Sequence, residues 1–214
     1  VMTFITVCIA LPFTLMFMSS ITSETALVRD GYSFFPKEFS LDAYKFIVDN
    51  AANVFRAYGI TIFVTVVGTA VNLAMSALLA YPLSLKNLPG KRFLSFYIFF
   101  TMLFNGGLVP TYLMYTGIFH INNTLLAYIV PGFLMSAMNV MLIRTFFANS
   151  IPDALFEAAQ IDGASQFQIF GKIVLPLGKP ILVAMGLLSG LGYWNDWTNG
   201  LYYVRDTQLY GIQN

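Results

Sequence analysis

An all-α, polytopic membrane helical bundle is the fold class this sequence predicts, and three observations carry that reading. Of 214 residues, 57% are hydrophobic and 10% charged, whereas an ordinary soluble domain carries roughly 25% charged residues. Nearly uncharged runs of about 18 or more residues recur, each long enough to cross roughly 30 Å of hydrocarbon. These runs lack the period-2 alternation of barrel strands, and lipid offers a backbone no hydrogen-bond partner, so they are expected as helices. The formal net charge of +1 leaves no basic stripe for nucleic acid.

About five candidate spans follow in order, at residues 2–19, 57–81, 93–113, 124–143 and 178–198. The first starts at Val1 without an initiating Met or a basic flank, and no A-x-A-like cleavage site follows; it reads as a span lacking its flank, not a signal peptide. Cys8, the single cysteine, reads as a packing residue. The 20–56 segment sets Glu24, Asp30, Glu38, Asp42 and Asp49 against Arg29, Lys37, Lys45 and Arg56. It is expected as a folded-back polar region in which Ser40 caps a short amphipathic helix through Asp42, Tyr44 and Phe46.

The second span carries Thr61, Thr65, Gly68, Asn72 and Ser76 at spacings of three and four, one polar stripe on an apolar helix. Thr65, Gly68 and Ser76 suit helix packing. Asn72 stays open between packing and a substrate pathway, since a buried amide needs a specific partner. Asn105-Gly106-Gly107 interrupts the third span and Pro131-Gly132 the fourth; both read as bends that shape the bundle, with Asn105 also a pathway candidate. His120 has no second ligand at metal spacing and reads as a loop residue.

The fifth span closes in Tyr193-Trp194-Asn195-Asp196-Trp197-Thr198-Asn199. An ionisable group near membrane depth is a functional candidate by default. Rings beside amide and carboxylate oxygens suit sugars, whose C–H faces stack while hydroxyls hydrogen-bond. Trp194, Asn195, Asp196 and Trp197 are therefore pathway candidates, and the alternative is an interfacial aromatic belt with Asp196 in water.

Orientation follows from Lys and Arg in short loops, which mark the cytoplasmic side. Lys86, Lys91 and Arg92 lie between spans two and three, and residues 114–123 contain neither residue type. Alternation then puts residues 20–56 outside and 144–177 inside, with Arg144 and Lys172. That inner loop runs on to Pro180 and is long for a connection, which favours a functional element.

Within it, Ser150 reads as an N-cap with Pro152 in the first turn and Asp153 at the capping-box position, and Gly163 as a helix stop. The expected result is one helix over 151–162 and a second over 166–174. Leu155, Ala158, Ala159 and Asp162 fall on neighbouring faces of the first, where small residues permit close approach and Glu157 offers a carboxylate. A helix lying in the membrane interface is the plain alternative.

The residues Glu157-Ala158-Ala159, Gly163, Ile173, Leu175 and Pro176 reproduce the spacing EAA-x3-G-x9-I-x-LP. That spacing resembles the signature of the membrane subunits of bacterial ABC importers, and the chain, over roughly residues 2–205, is similar to type I permeases of carbohydrate importers, the second permease of maltose-type and complex-oligosaccharide systems among them. The resemblance implies a single permease domain of five visible spans and a sixth beyond Asn214, in the bacterial inner membrane. It implies an ATPase-coupling helix in which Glu157, Ala158, Ala159, Asp162 and Gly163 make the contact, with Leu155 beside them, while Pro176 and Pro180 redirect the chain into the next span. The partners implied are a second permease subunit in a heterodimer, two cytoplasmic ABC ATPases, an extracytoplasmic solute-binding protein, an oligosaccharide and membrane lipid.

No G-x-x-x-x-G-K-[ST] phosphate loop is present: Gly171-Lys172 is followed by Ile173, and Gln166 stands where the first glycine belongs. ATP and Mg are therefore expected on the partner ATPase, with no cofactor, metal or catalytic residue on this chain. A non-sugar solute is the near alternative. An ion-coupled secondary transporter fits less well, with few intramembrane charges and no mirrored half. His120 and Ser189 sit on different sides or depths in this topology, so Ser189, Asp196 and His120 make no triad.

Overall fold

The computed structural model describes residues 2–132 and 134–214, which divide into two compact units, one ending at Phe55 and the other covering Arg56–Asn214. Among them no strand occurs; the one isolated bridge joins Thr22 and Phe39.

In the first unit, α1 (Met2–Ser20) is apolar on every side and buries none of its residues, the pattern of a helix made for an apolar surround. Its hydroxyls turn back onto their own helix, Thr14 Oγ1 donating to the Ala10 carbonyl at 2.9 Å, which removes free donors from that surface. Two short helices follow, α2 (Glu24–Asp30) and α3 (Asp42–Asp49). Ser23 caps α2, accepting from Ala26 N at 3.3 Å. Ser40 accepts from Asp42 N at 3.0 Å, one residue before Leu41, the residue that occupies the α3 cap position. Asp30 meets Arg29 at 3.0 Å and Lys37 at 3.1 Å; bonding to Arg29, then to Lys37, holds its carboxyl down at about 2.

The second unit is organised along α4 (Ala51–Ser84, 34 residues). It is longer at both ends than the expected 57–81. Its buried residues include Thr61, Gly68, Asn72 and Ser76, so the polar stripe faces neighbouring helices. The end of α4 is tied off by basic residues from two other helices, α5 (Lys91–Leu103) and α8 (Ala137–Ser150). Arg144 Nε donates to the Leu83 carbonyl at 3.1 Å and Lys91 Nζ to the Leu85 carbonyl at 2.7 Å. Cations at a helix C-terminus satisfy orphan carbonyls and oppose the dipole.

After Leu103 the chain breaks at Asn105-Gly106-Gly107 and turns by 111° into α6 (Leu108–Leu113), which runs on as a π-turn over Met114–Ile118. The expected outer connection over 114–123 therefore starts helical. The fourth expected span, 124–143, is not one helix: α7 covers Leu126–Ile129 only, and α8 begins at Ala137. Pro131 supplies no N–H to continue α7, and Gly132 takes φ +76°, a region that glycine alone enters at no steric cost. Among the described residues two helices, α1 and α4, are long and apolar enough to cross a membrane, and up to four if each of two bent pairs is one span.

Two packed cores lie along α4. One gathers Ala80, Tyr81 and Leu83 with Val140, Ile143, Phe147, Phe156, Ile169 and Val174. The other gathers Val64 with Tyr128, Ile129, Tyr193, Tyr203 and Val204. Val64 and Tyr81 are seventeen residues apart in α4, roughly 25 Å at 1.5 Å per residue, so one core sits at the C-terminal end of the helix and the other near its middle.

Candidate coupling hairpin and polar pathway

The hairpin begins at α9 (Asp153–Ile161). Ser150 does not cap it: Ser150 is the last residue of α8, and Pro152, with no side-chain bond to offer, holds the cap position. The stop at Gly163 is as expected from a glycine there. Gly163 has φ +76°, its N–H donates to the Gln160 carbonyl at 3.0 Å and Ala164 N–H to the Ala159 carbonyl at 2.9 Å, the paired bonds of a Schellman ending. A capping box then starts the second arm, Ser165 accepting from Gln168 N at 3.3 Å and Ser165 N donating to Gln168 Oε1 at 2.8 Å.

That second arm is longer than the expected 166–174. It runs through α10 (Gln166–Ile169), a π-turn over Phe170–Val174 and α11 (Leu175–Leu177), and bends by 78° into α12 (Lys179–Trp194). The pivot is Gly178. A Cβ there would lie 2.5 Å from Phe147 Cε1 and 2.9 Å from the Val174 carbonyl, so the arm and the buried Phe147 ring pack against bare backbone. Pro176 lies within α11, and Pro180 opens α12 where a missing N–H costs nothing.

On α9 one side chain, Phe156, is buried. Ala159 rests at the edge of the core. Leu155, Glu157, Ala158, Asp162 and Gly163 are exposed, and two apolar side chains not foreseen from the motif stand out furthest, Ile161 at 85% and Phe167 at 81% exposure. Lys86, after α4, pairs with Asp153 at the start of α9. A cleft of about 380 Å³ lies between them, lined by Lys86, Asn87, Asp153, Phe156, Glu157 and Gln160.

Midway along α4, Asn72 is 2% exposed. Its Oδ1 accepts from Ser189 Oγ on α12 at 3.1 Å and from Asn139 Nδ2 on α8 at 3.4 Å, and Asn139 Nδ2 also donates to Ser189 Oγ at 3.0 Å. Three helices are thus clamped at one polar point. Small residues bring them close enough: a Cβ on Gly68 would meet the Tyr193 ring at 2.6 Å, and one on Gly186 would meet Leu73 at 3.0 Å.

Toward the other core, Asn105 and Asp196 border one cavity of about 450 Å³, together with Thr111, Asn199, Tyr202 and Tyr203. Asp196 is buried, and its carboxylate is occupied. Oδ1 accepts from Thr198 N and Asn199 N, both at 3.1 Å, and Oδ2 from Asn199 Nδ2 at 2.8 Å. It thereby satisfies the first N–H groups of α13 (Thr198–Tyr203), while Asn199 Nδ2 also reaches the Pro131 carbonyl at 3.2 Å. Asn105 Oδ1 accepts from Gly107 N at 2.9 Å and fixes the break before α6. Trp194, Asn195 and Trp197 do not line this cavity: Asn195 bonds back to the Leu191 carbonyl, and Trp197 is 54% exposed. Of the foreseen pathway residues, the structure brings Asn105 and Asp196 together and sets Asn72 apart in the helix clamp. Asn139 and Asn199 were not foreseen; amides in apolar stretches were the available signal.

Bent apolar helices crossed by a buried polar clamp, with an amide-lined cavity toward one end and an exposed hairpin at the other, define a membrane transport subunit. No family model matches the chain. It is 37% identical over 203 residues to Protein LplC of Bacillus subtilis (strain 168), covering 95% of this chain and 68% of that one. It is 36% identical over 210 residues to the polygalacturonan/rhamnogalacturonan transport system permease protein YtcP of the same organism, covering 98% and 72%. Among solved structures it matches a chain of a bacterial ABC transporter involved in import of the acidic polysaccharide alginate, with TM-score 0.86 and 31% identity over 99% of this chain and 74% of that chain. The chain belongs to the permease family of carbohydrate ABC importers.

Proposed function

We propose that this subunit passes an oligosaccharide inward across a bacterial plasma membrane, powered by ATP hydrolysed on separate subunits that dock on α9. The observation that carries the reading is the exposure pattern of the hairpin. A short helix held by one buried ring, Phe156, turns Leu155, Ala158 and Ile161 outward beside Glu157. Apolar side chains at that level of exposure suit a groove in a partner, where small alanines allow close approach and the carboxylate meets a basic residue. ATP and Mg belong to that partner, a pair of cytoplasmic ABC ATPases. A second permease completes the pathway, and an extracytoplasmic solute-binding protein delivers the sugar.

The sugar side of the reading is supported by the cavity at Asn105, where amide, carboxylate and hydroxyl groups stand beside Tyr202 and Tyr203. Rings to stack on and convergent polar groups are the mix that carbohydrate recognition uses. The relatives point the same way, since one is named for polygalacturonan and rhamnogalacturonan and another, AraQ of Halalkalibacterium halodurans, for arabinooligosaccharides. Alternating exposure of the pathway follows if ATPase closure moves the hairpin and the helices behind it as rigid pieces.

The test is co-purification of the assembled transporter carrying Glu157→Lys or Ala158→Arg. Both substitutions are expected to strip the ATPase subunits from the membrane complex and abolish uptake. Intact ATPase binding with normal oligosaccharide uptake in both variants sinks the docking assignment.

A further inference from the structure

We infer that Tyr81 is the positioning residue that couples the hairpin to α4, and that its hydroxyl bond to Gln166 sets the register of that joint. The inference rests on the docking reading above and adds the element behind the docked surface.

Tyr81 lies one turn from the end of α4 and is 7% exposed. Its ring stands 6.4 Å from that of Phe156, the one buried anchor of α9, and 5.3 Å from that of Phe170, which opens the π-turn of the second arm. Its hydroxyl donates to Gln166 Oε1 at 2.6 Å, at the first residue of α10. A single side chain of α4 thus touches both arms of the hairpin, packing on each and hydrogen-bonding to one.

The surroundings make that contact consequential. Behind Tyr81 the helix end is fixed, because Ser84 Oγ donates to the Tyr81 carbonyl at 2.6 Å and Arg144 and Lys91 hold the next carbonyls. Farther along the same helix, Asn72 ties α4 to α8 and α12. A displacement of the hairpin that carries Tyr81 therefore reaches the helix on which the polar clamp sits. A packed, hydrogen-bonded aromatic transmits such a displacement because close-packed interiors shift between discrete arrangements and do not deform smoothly.

The experiment uses the complete transporter, both permeases with the ATPase pair and the solute-binding protein, reconstituted in liposomes, and reads sugar moved per ATP hydrolysed. Tyr81→Phe keeps both ring contacts and Gln166→Leu keeps most of the side-chain volume, so neither opens the core. Each is expected to lower the ratio by about three- to tenfold, the fold-change of one typical net hydrogen bond, while the ATPase subunits still co-purify. The double variant is expected to be no worse than either single one, since both remove one interaction. An unchanged ratio in both single variants overturns the inference, as do additive losses, and so does loss of the ATPase subunits, which would make the bond a mere shaper of the docking face. Retention of the ATPase by Glu157→Lys and Ala158→Arg overturns the docking reading and this inference with it, whereas an unchanged ratio in the Tyr81 and Gln166 variants leaves docking standing.

Discussion

The two ends of the second unit are held by different chemistry. At the hairpin end, contacts are made by rings and by fully buried aliphatic side chains: Leu83, Val140, Ile143, Phe147 and Val174 are 0% exposed, and Gly178 admits the Phe147 ring against bare backbone. At the opposite end, beside the core around Tyr128 and Tyr193, carboxyl, amide and hydroxyl groups tie loops to one another and to helix ends and flanks. Asn123 Oδ1 accepts from Arg205 N at 3.1 Å and Asp206 N at 2.8 Å, Thr61 Oγ1 from Ile212 N at 2.9 Å, and Asp196 from the start of α13. On the docking reading proposed above the hairpin end transmits force, which calls for dense packing, because gaps absorb motion. An end that borders a cavity of about 450 Å³ is better held by capping bonds, which fix irregular backbone without filling the space.

The largest effect should come from breaking the dense end. Phe147→Ala removes a fully buried ring and leaves a void beside Gly178, at a cost of about 3–5 kcal/mol. Thermal unfolding of the purified complex in detergent should show a correspondingly large drop in midpoint. A midpoint near that of the unaltered protein would mean that this core is plastic and that the contrast between the ends is false.

Asp196 sharpens the other side of the comparison. Asp196→Ala frees the N–H groups of Thr198 and Asn199 and should cost about 0.5–2 kcal/mol, the range for losing a helix cap. Asp196→Asn keeps an oxygen acceptor and should recover most of that stability. If uptake follows stability through both variants, Asp196 acts as a cap. If Asp196→Asn is stable and transport-dead, the charge itself acts on the sugar, and the outer end is more than scaffolding.

Between the ends, Asn72→Leu should cost less, about 0.6–1.7 kcal/mol, as measured for hydrogen bonds between membrane helices. Asn139→Leu in the same background should add little, because Asn72, Asn139 and Ser189 share one small network. Fully additive losses in unfolding midpoints would show that they act separately.

The sequence made the membrane class, the break at Asn105-Gly106-Gly107 and the stop at Gly163 legible, since each depends on local chemistry: apolar length, glycine at positive φ, an absent proline N–H. What it hid depends on long-range pairing. Nothing near Tyr81 announces Gln166, eighty-five residues away, and nothing near Asn72 selects Asn139 and Ser189. The misplaced cap shows a related failure. Ser150-Ile151-Pro152-Asp153 has the pattern of a helix start, yet α8 extends through Ser150, because Phe147 and Ile151 are buried in the core and tertiary packing outweighs a cap worth about 1 kcal/mol. The charge of Asp196 stands out in the sequence, and Asp196-Trp197-Thr198-Asn199 also carries the pattern of the cap that its carboxylate makes to the N–H groups two and three residues on.

The smallest effect belongs to Lys86 and Asp153, which join the end of α4 to the start of α9 on the exposed face of the dense end. Their side chains are 74% and 51% exposed, and exposed pairs are worth about 0–1 kcal/mol and weaken with salt. Lys86→Ala should therefore leave the unfolding midpoint almost unmoved. Its place matters more than its strength, because the same cleft holds Glu157, and on the docking reading proposed above a basic residue of the partner would compete with Lys86 for that acidic cluster. ATPase binding by Lys86→Ala should then be equal or slightly tighter, with a steeper salt dependence, and the swapped pair Lys86→Asp with Asp153→Lys should restore the original dependence. A salt dependence that is identical in all three proteins would place the pair outside the docking surface.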